Sequence, residues 1–301
     1  MMNKIMTLIL IFFSGITISQ NRFIDNVFDS TSVKTLNYSI RDKDTLKLDV
    51  YEPFNDTINQ RPLYVIVHGG GFNSGERNTN SLINLAENIT KKGYVVTSID
   101  YRMLSNNEYF SCDLPINEAL KIYKNAAVDL LDALTYLVTY KNAFRIDDSK
   151  IILFGLSAGA ETALNVAYNR EMIVSNVKKF KNIQPSAVIA ISGAVLNAEL
   201  INKKNAIPAV LYHGVDDNIV PYSKGAHHSC DIKAKGYLVI DGSKNIAEKL
   251  ETNNSSFMLY SYLNKGHDIF NLPTEDFYQA FLFIKKVVIE NKFFQAKITE
   301  N

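Results

Sequence analysis

Residues 151–159 read Ile-Ile-Leu-Phe-Gly-Leu-Ser-Ala-Gly, an apolar run that leads directly into a serine set among small residues, and an alanine-rich segment follows as far as Tyr168. The apolar run fits a strand buried on both faces, and the alanine-rich segment reads as a helix. A strand that becomes a helix within so few residues has to turn sharply. Gly155, Ala158 and Gly159 let the backbone do so without clashes. The pattern points to an α/β fold in which helices cover a mostly parallel sheet on both faces. In such sheets the chemistry gathers at the C-terminal ends of the strands.

The remaining sequence repeats the same alternation. Residues 45–51 alternate like an early, half-exposed strand, and residues 63–67 form a continuous β-branched run. A helix is expected over 80–92, ended by Gly93, then a buried strand over 94–99 and one long helix over 116–140. After the strand at 151–154 and the helix at 160–168, further strands are expected at 187–191, 209–212 and 257–262. Helices are expected at 246–250 and 275–290. No linker, repeat or block of like charge divides the chain, so residues 20–301 are read as a single domain.

Residues 1–19 are set apart from this pattern. Lys4 gives a short positive start, an apolar run follows over 6–13, and Thr17-Ile18-Ser19 offers small residues at −3 and −1 before Gln20. That is the layout of a secretory signal peptide, and the apolar run is short for a membrane span. The rival reading is an uncleaved anchor. Export makes the product secreted or periplasmic, where Cys112 and Cys230 can oxidise to a disulfide. The spacing alone does not bring their Cα atoms within reach. The 32 basic and 31 acidic residues leave a formal net charge of +1. No phosphate-binding surface is implied, so nucleic acid is not expected as a partner.

Gly155-Leu156-Ser157-Ala158-Gly159 matches G-x-S-x-G, which places a nucleophilic serine on a strained strand-to-helix turn. His68-Gly69-Gly70-Gly71-Phe72 follows the strand at 63–67. An oxyanion formed on attack needs preorganised donors, and glycines keep backbone N–H groups accessible. Gly70 and Gly71 are assigned to that role, with Ala158 as the other donor. The loop has neither pattern expected of a phosphate cradle.

A serine hydroxyl needs a base, and the base needs a group to orient it, in the chain order serine, acid, histidine. Five histidines are available. His68 belongs to the glycine loop, His213 precedes the candidate acids, and His227 and His228 follow them too closely. His267 lies in a loop after the expected strand at 257–262, and is the base. Asp217 is the acid, with its neighbour Asp216 as the alternative; Asp241 reads as a turn or cap residue. The run His227-His228-Ser229-Cys230-Asp231 contains metal-ligand types, but adjacent histidines point apart and no complementary cluster exists. It reads as a solvent-facing insertion, and neither metal nor organic cofactor is expected.

The sequence resembles bacterial carboxylesterase/lipase-type α/β-hydrolases. The likeness rests on Leu48-Asp49-Val50-Tyr51-Glu52-Pro53, on Val65-Ile66-Val67-His68-Gly69-Gly70-Gly71-Phe72, on Asp100-Tyr101-Arg102, on the Ser157 turn, and on the Asp217 and His267 segments. The resemblance implies an α/β-hydrolase fold, Ser157, Asp217 and His267 as a catalytic triad, and the glycine loop in the oxyanion hole. The acid context, His-Gly-x-x-Asp-x-x-Val-Pro, is more similar to dienelactone hydrolases and prolyl-oligopeptidase-type domains than to hormone-sensitive-lipase-like esterases. Short-chain acyl or carbohydrate-linked esters are the expected substrates. A serine peptidase without a propeller and a non-catalytic binding homologue are the competing functions. Residues 103–114 and 221–236 carry the two cysteines and are expected to wall the pocket, with Phe72, Tyr109, Phe110 and Tyr222 as candidate aromatic surface.

Overall fold

A computed structural model describes residues 21–41, 44–104 and 109–301, so the proposed signal segment at 1–19 lies outside the described residues. The chain opens with β1 (Thr31–Arg41), β2 (Asp44–Pro53), β3 (Arg61–Val67), α1 (Asn80–Thr90), β4 (Val95–Ile99) and α2 (Ile116–Thr139). Next come β5 (Ile146–Leu156), α3 (Ala158–Tyr168), the short α4 (Arg170–Ile173), β6 (Ala187–Ile191), β7 (Ala194–Val195) and β8 (Ala209–Gly214). The last part holds β9 (Lys224–Ala226), β10 (Val239–Gly242), α5 (Ser243–Thr252), β11 (Phe257–Tyr262), α6 (Thr274–Ile284) and β12 (Gln295–Glu300).

Nine of these strands form one sheet in the order β1-β2-β4-β3-β5-β6-β8-β11-β12. The β1–β2 and β2–β4 pairs are antiparallel, whereas every pair from β4 to β12 is parallel. This is the α/β-hydrolase arrangement that the motifs imply. β3 shows why the sheet must be covered on both sides. All seven of its residues are buried. Leu63, Val65 and Val67 pack with α2, α3 and α5, while Tyr64 and Ile66 pack on the opposite face with α1 and α6. Burying each such side chain contributes about 1.5–3 kcal/mol, and period-two alternation divides that gain between the two faces.

The expected strands and helices all form, with ends moved by a few residues. β5 begins five residues before the apolar run that announces it, and α6 runs on into a π-helical turn at Lys285–Ile289. Two edge strands, β1 and β12, have no counterpart in the sequence reading. Each packs a short apolar alternation on the core, Leu36 and Tyr38 in β1 and Ala296 and Ile298 in β12, among residues that are otherwise exposed or half-buried. Among the described residues no helix is long and apolar enough to cross a membrane.

Charged residues tie the layers together. Asp129, fully buried in α2, accepts hydrogen bonds from the Arg102 backbone N–H (2.9 Å) and from its Nε and Nη2 atoms, the latter at 2.8 Å. This bidentate pair fixes the Asp100-Tyr101-Arg102 segment that leaves β4. Removing one partner strands the other, so Asp129→Ala is expected to cost about 3 kcal/mol in urea unfolding. A loss below about 0.5 kcal/mol would show that the pair does not carry this junction.

Candidate active site

Ser157 stands between the last residue of β5 and the first of α3, at φ 50° and ψ −121°. A non-glycine residue there is strained by roughly 1–3 kcal/mol, and such strain persists only where the surroundings over-determine it. Here the Ser157 N–H donates to Ile191 O in β6 (2.9 Å), and the Ser157 carbonyl accepts from the Glu161 N–H (2.9 Å). A Cβ on Gly159 would lie 2.1 Å from Val67 O and 2.5 Å from His68 O, so only glycine lets the start of α3 press against the end of β3. The same contact holds the nucleophile turn against the start of the His68–Gly71 loop. It also aims the positive end of α3 at the site.

β8 and β11 are adjacent and parallel, so the segments that follow them emerge side by side. Val215 N–H donates to Tyr262 O (2.9 Å) and Asp216 N–H to Lys265 O (3.0 Å), which clamps the acid turn to the histidine loop. His267 Nδ1 then lies 2.7 Å from Asp217 Oδ2, and His267 Nε2 lies 2.8 Å from Ser157 Oγ. The partners set the tautomer: Nδ1–H donates to the carboxylate, leaving Nε2 to accept the serine proton. Asp217 Oδ1 accepts from the Ile219 and Val220 N–H groups, both at 2.9 Å. Burial alone would raise the Asp217 carboxyl, but hydrogen bonds from His213 and His267 outweigh it and hold the group well below the usual carboxylate range. The alternative acid, Asp216, is exposed. Asp241 instead caps a distant turn, accepting from Ala198 N–H at 2.9 Å.

His68 anchors its loop. Its ring is buried and stacks on Tyr101 at 4.4 Å, and the Tyr101 hydroxyl donates to His68 O at 2.9 Å. Burial pushes its pKa down, which favours the neutral ring. Gly70 sits at φ 114°, a conformation that L side chains rarely adopt, and its carbonyl accepts from Asn73 and Ser74 N–H. Gly71 and Phe72 also have positive φ. The Phe72 ring is buried among Tyr101, Phe110 and Tyr123. Tyr222 stands edge-on to the His213 ring and hydrogen-bonds Ser261. Of the four candidate pocket aromatics, only Tyr109 is well exposed.

Cys112 and Cys230 are bridged, with Cα atoms 5.4 Å apart, which ties the 109–114 segment to the 221–236 segment across 118 residues of sequence. The run at 227–231 is not the solvent-facing insertion expected from its sequence, although Ser229 and Asp231 are exposed. His227 and Cys230 are buried, and His227 Nε2 lies 3.3 Å from Glu161 in α3, one turn after Ser157. Glu161 also accepts from the Tyr123 hydroxyl at 2.6 Å. His228 takes positive φ and donates its N–H to Ile219 O beside the acid. Burial, reinforced by His227, pushes its pKa down to about 4. Glu161 was legible as a lone carboxylate in an alanine-rich apolar helix, a signal that the motif alone does not use. Among the described residues no group of three or more His, Cys, Asp or Glu is placed to hold a metal ion. A groove of about 690 Å³ lies at the far end of α3, around Tyr168, Lys178 and Ile207, and contains none of the residues above.

The family model described as BD-FAE matches residues 48–202, a span that includes the glycine loop and Ser157 but ends before Asp217 and His267. Among solved structures, esterase 2 of Thermogutta terrifontis phosphorylated by paraoxon matches with a TM-score of 0.63 at 18% identity, over 87% of this chain and 95% of that one. Its propionate-bound form matches with a TM-score of 0.62 at 18% identity, over 87% and 95%. At that identity the likeness carries the fold. A non-reducing polyketide synthase of Stereocaulon alpinum is 24% identical over 151 residues, which is 48% of this chain but only 6% of the synthase.

The bridge closes a loop of more than a hundred residues, so its loss is expected to be costly. In the chain-entropy account Cys112→Ser with Cys230→Ser lowers stability by about 4–5 kcal/mol, measured by urea unfolding without reductant. An unchanged midpoint would mean that the bridge does not constrain the unfolded chain in this way.

Proposed function

The chain belongs to the BD-FAE family, and on that premise we propose that it is a serine carboxylic ester hydrolase whose triad is Ser157, His267 and Asp217. The observation that carries this reading is the continuous line of hydrogen bonds from Ser157 Oγ to His267 Nε2 (2.8 Å) and from His267 Nδ1 to Asp217 Oδ2 (2.7 Å). Ser157 Oγ attacks the ester carbonyl carbon as His267 Nε2 takes its proton. The tetrahedral oxyanion is received by backbone N–H groups of Gly70, Gly71 and Ala158, supported by the positive end of α3. Collapse expels the alcohol, which takes the proton back from His267, and leaves an acyl group on Ser157. Water, deprotonated by His267, then releases the acid. Asp217, kept ionised by its surroundings, holds the tautomer and stabilises the imidazolium through both steps.

Short-chain acyl or carbohydrate-linked esters are the proposed substrates. The propionate-bound esterase of similar fold supports a short acyl side. The disulfide favours an oxidising, secreted or periplasmic setting.

Ser157→Ala and His267→Ala are each expected to lower kcat/KM on p-nitrophenyl acetate by about 10⁴-fold or more, with melting temperatures near wild type. Wild-type turnover by Ser157→Ala would overturn the assignment.

A further inference from the structure

His213 is the last-but-one residue of β8, is fully buried, and has no place in the acyl-transfer steps. Its surroundings nevertheless lead to the acid. Nε2 lies 2.9 Å from Val220 O and 3.3 Å from Asp217 Oδ2. Nδ1 lies 2.8 Å from the hydroxyl of Ser243, the first residue of α5, which is also buried. A carbonyl and a carboxylate can only accept, so Nε2 carries the proton and shares it between them. Nδ1 is then the bare nitrogen and accepts the Ser243 hydroxyl proton. A second acceptor near that hydroxyl, Gly193 O, is more distant at 3.4 Å.

We propose that His213 is a positioning residue: held by Ser243, it presents Nε2–H to Asp217 and so sets the orientation and basicity of the carboxylate that His267 depends on. The inference rests on the esterase reading above. Asp217 Oδ2 faces two imidazoles, His267 at 2.7 Å and His213 at 3.3 Å, and Oδ1 is filled by the Ile219 and Val220 N–H groups. The carboxylate therefore has donors on both oxygens and cannot rotate without breaking several bonds. Sharing Oδ2 with His213 draws charge away from His267 and limits how strongly the imidazolium is stabilised. Val220 O is part of the same acid turn, so the one proton also braces the backbone that supplies two of the donors. The titratable groups that face Asp217 are His213 from β8 and His267 from the loop after β11. His228 from the 227–230 turn acts on it at longer range, with Glu161 of α3 behind His227.

The test is the pH profile of kcat/KM for p-nitrophenyl acetate, whose acidic limb reports His267 in the free enzyme. Removing the competing donor leaves the Asp217 charge to His267 alone, which stabilises the imidazolium. In His213→Leu the acidic limb is expected to move to higher pH, with kcat lowered about 10- to 100-fold and KM within about threefold. His213→Gln, whose amide nitrogen can reach the Nε2 position, should restore the wild-type limb. An unmoved limb in a folded His213→Leu enzyme overturns the proposal whatever the loss in kcat, because packing alone would not move it. Should the leucine variant fail to fold, Ser243→Ala decides: a limb moved the same way supports the proposal, and an unmoved limb overturns it. Ser157→Ala in the same assay separates the two readings. If it is inactive while His213→Leu behaves as wild type, only this inference fails; if it stays active, the esterase reading itself fails.

Discussion

The parallel run β3-β5-β6-β8-β11 within one sheet is the constraint on which the rest depends. Parallel strands buried on both faces leave no polar surface along their length, and polar groups can gather only where the strands end. Here the ends of four strands each deliver one part of the candidate site. β3 delivers the glycine loop, β5 the strained Ser157, β8 His213 and the turn that carries Asp217, and β11 the loop that carries His267. The register between β8 and β11, with His213 beside Ser261 and Gly214 beside Tyr262, determines that the acid turn and the histidine loop leave the sheet at the same level. Two backbone hydrogen bonds beyond the last paired residues then close the distance.

Buried charge is concentrated around this framework. Arg61, with no exposed surface, pairs with Glu52 and donates to Phe144 O, joining β2, β3 and the turn before β5. Asp129 does the same between α2 and the segment after β4. Glu161, Tyr123 and His227 link the nucleophile helix to the disulfide-bearing loop. Such groups are costly to bury unless paired, and a partner lost is more damaging than a pair never made. Each of these clusters stands at a junction where the chain passes between layers.

The central strands were legible, and so were the three residues that the structure joins by hydrogen bonds, Ser157, His267 and Asp217, because each leaves a local mark. Continuous β-branched runs mark strands buried on both faces, and the G-x-S-x-G turn needs small residues at fixed positions. His267 followed by elimination, since chain order left one histidine after the acid. What the sequence did not disclose depends on contacts distant along the chain. β12 pairs with β11 and packs Ala296 and Ile298 on the core, and β1 likewise packs Leu36 and Tyr38, contacts made with residues distant in sequence. The 227–231 run looked polar enough for solvent, yet His227 is buried because Glu161 lies opposite it in α3. His213 could be dismissed as a base from its position, but its bond to Ser243 thirty residues away could not be read from either neighbourhood.

In the proposed mechanism one atom is decisive, Ser157 Oγ, which His267 activates and a strained turn holds within reach. The direct measurement is peptide mass mapping after exposure of the whole protein to an organophosphonate ester that phosphonylates activated serines. The account predicts a single adduct, approaching one per chain, on the peptide that contains Ser157. No adduct at Ser157, or modification only at other residues, would contradict it.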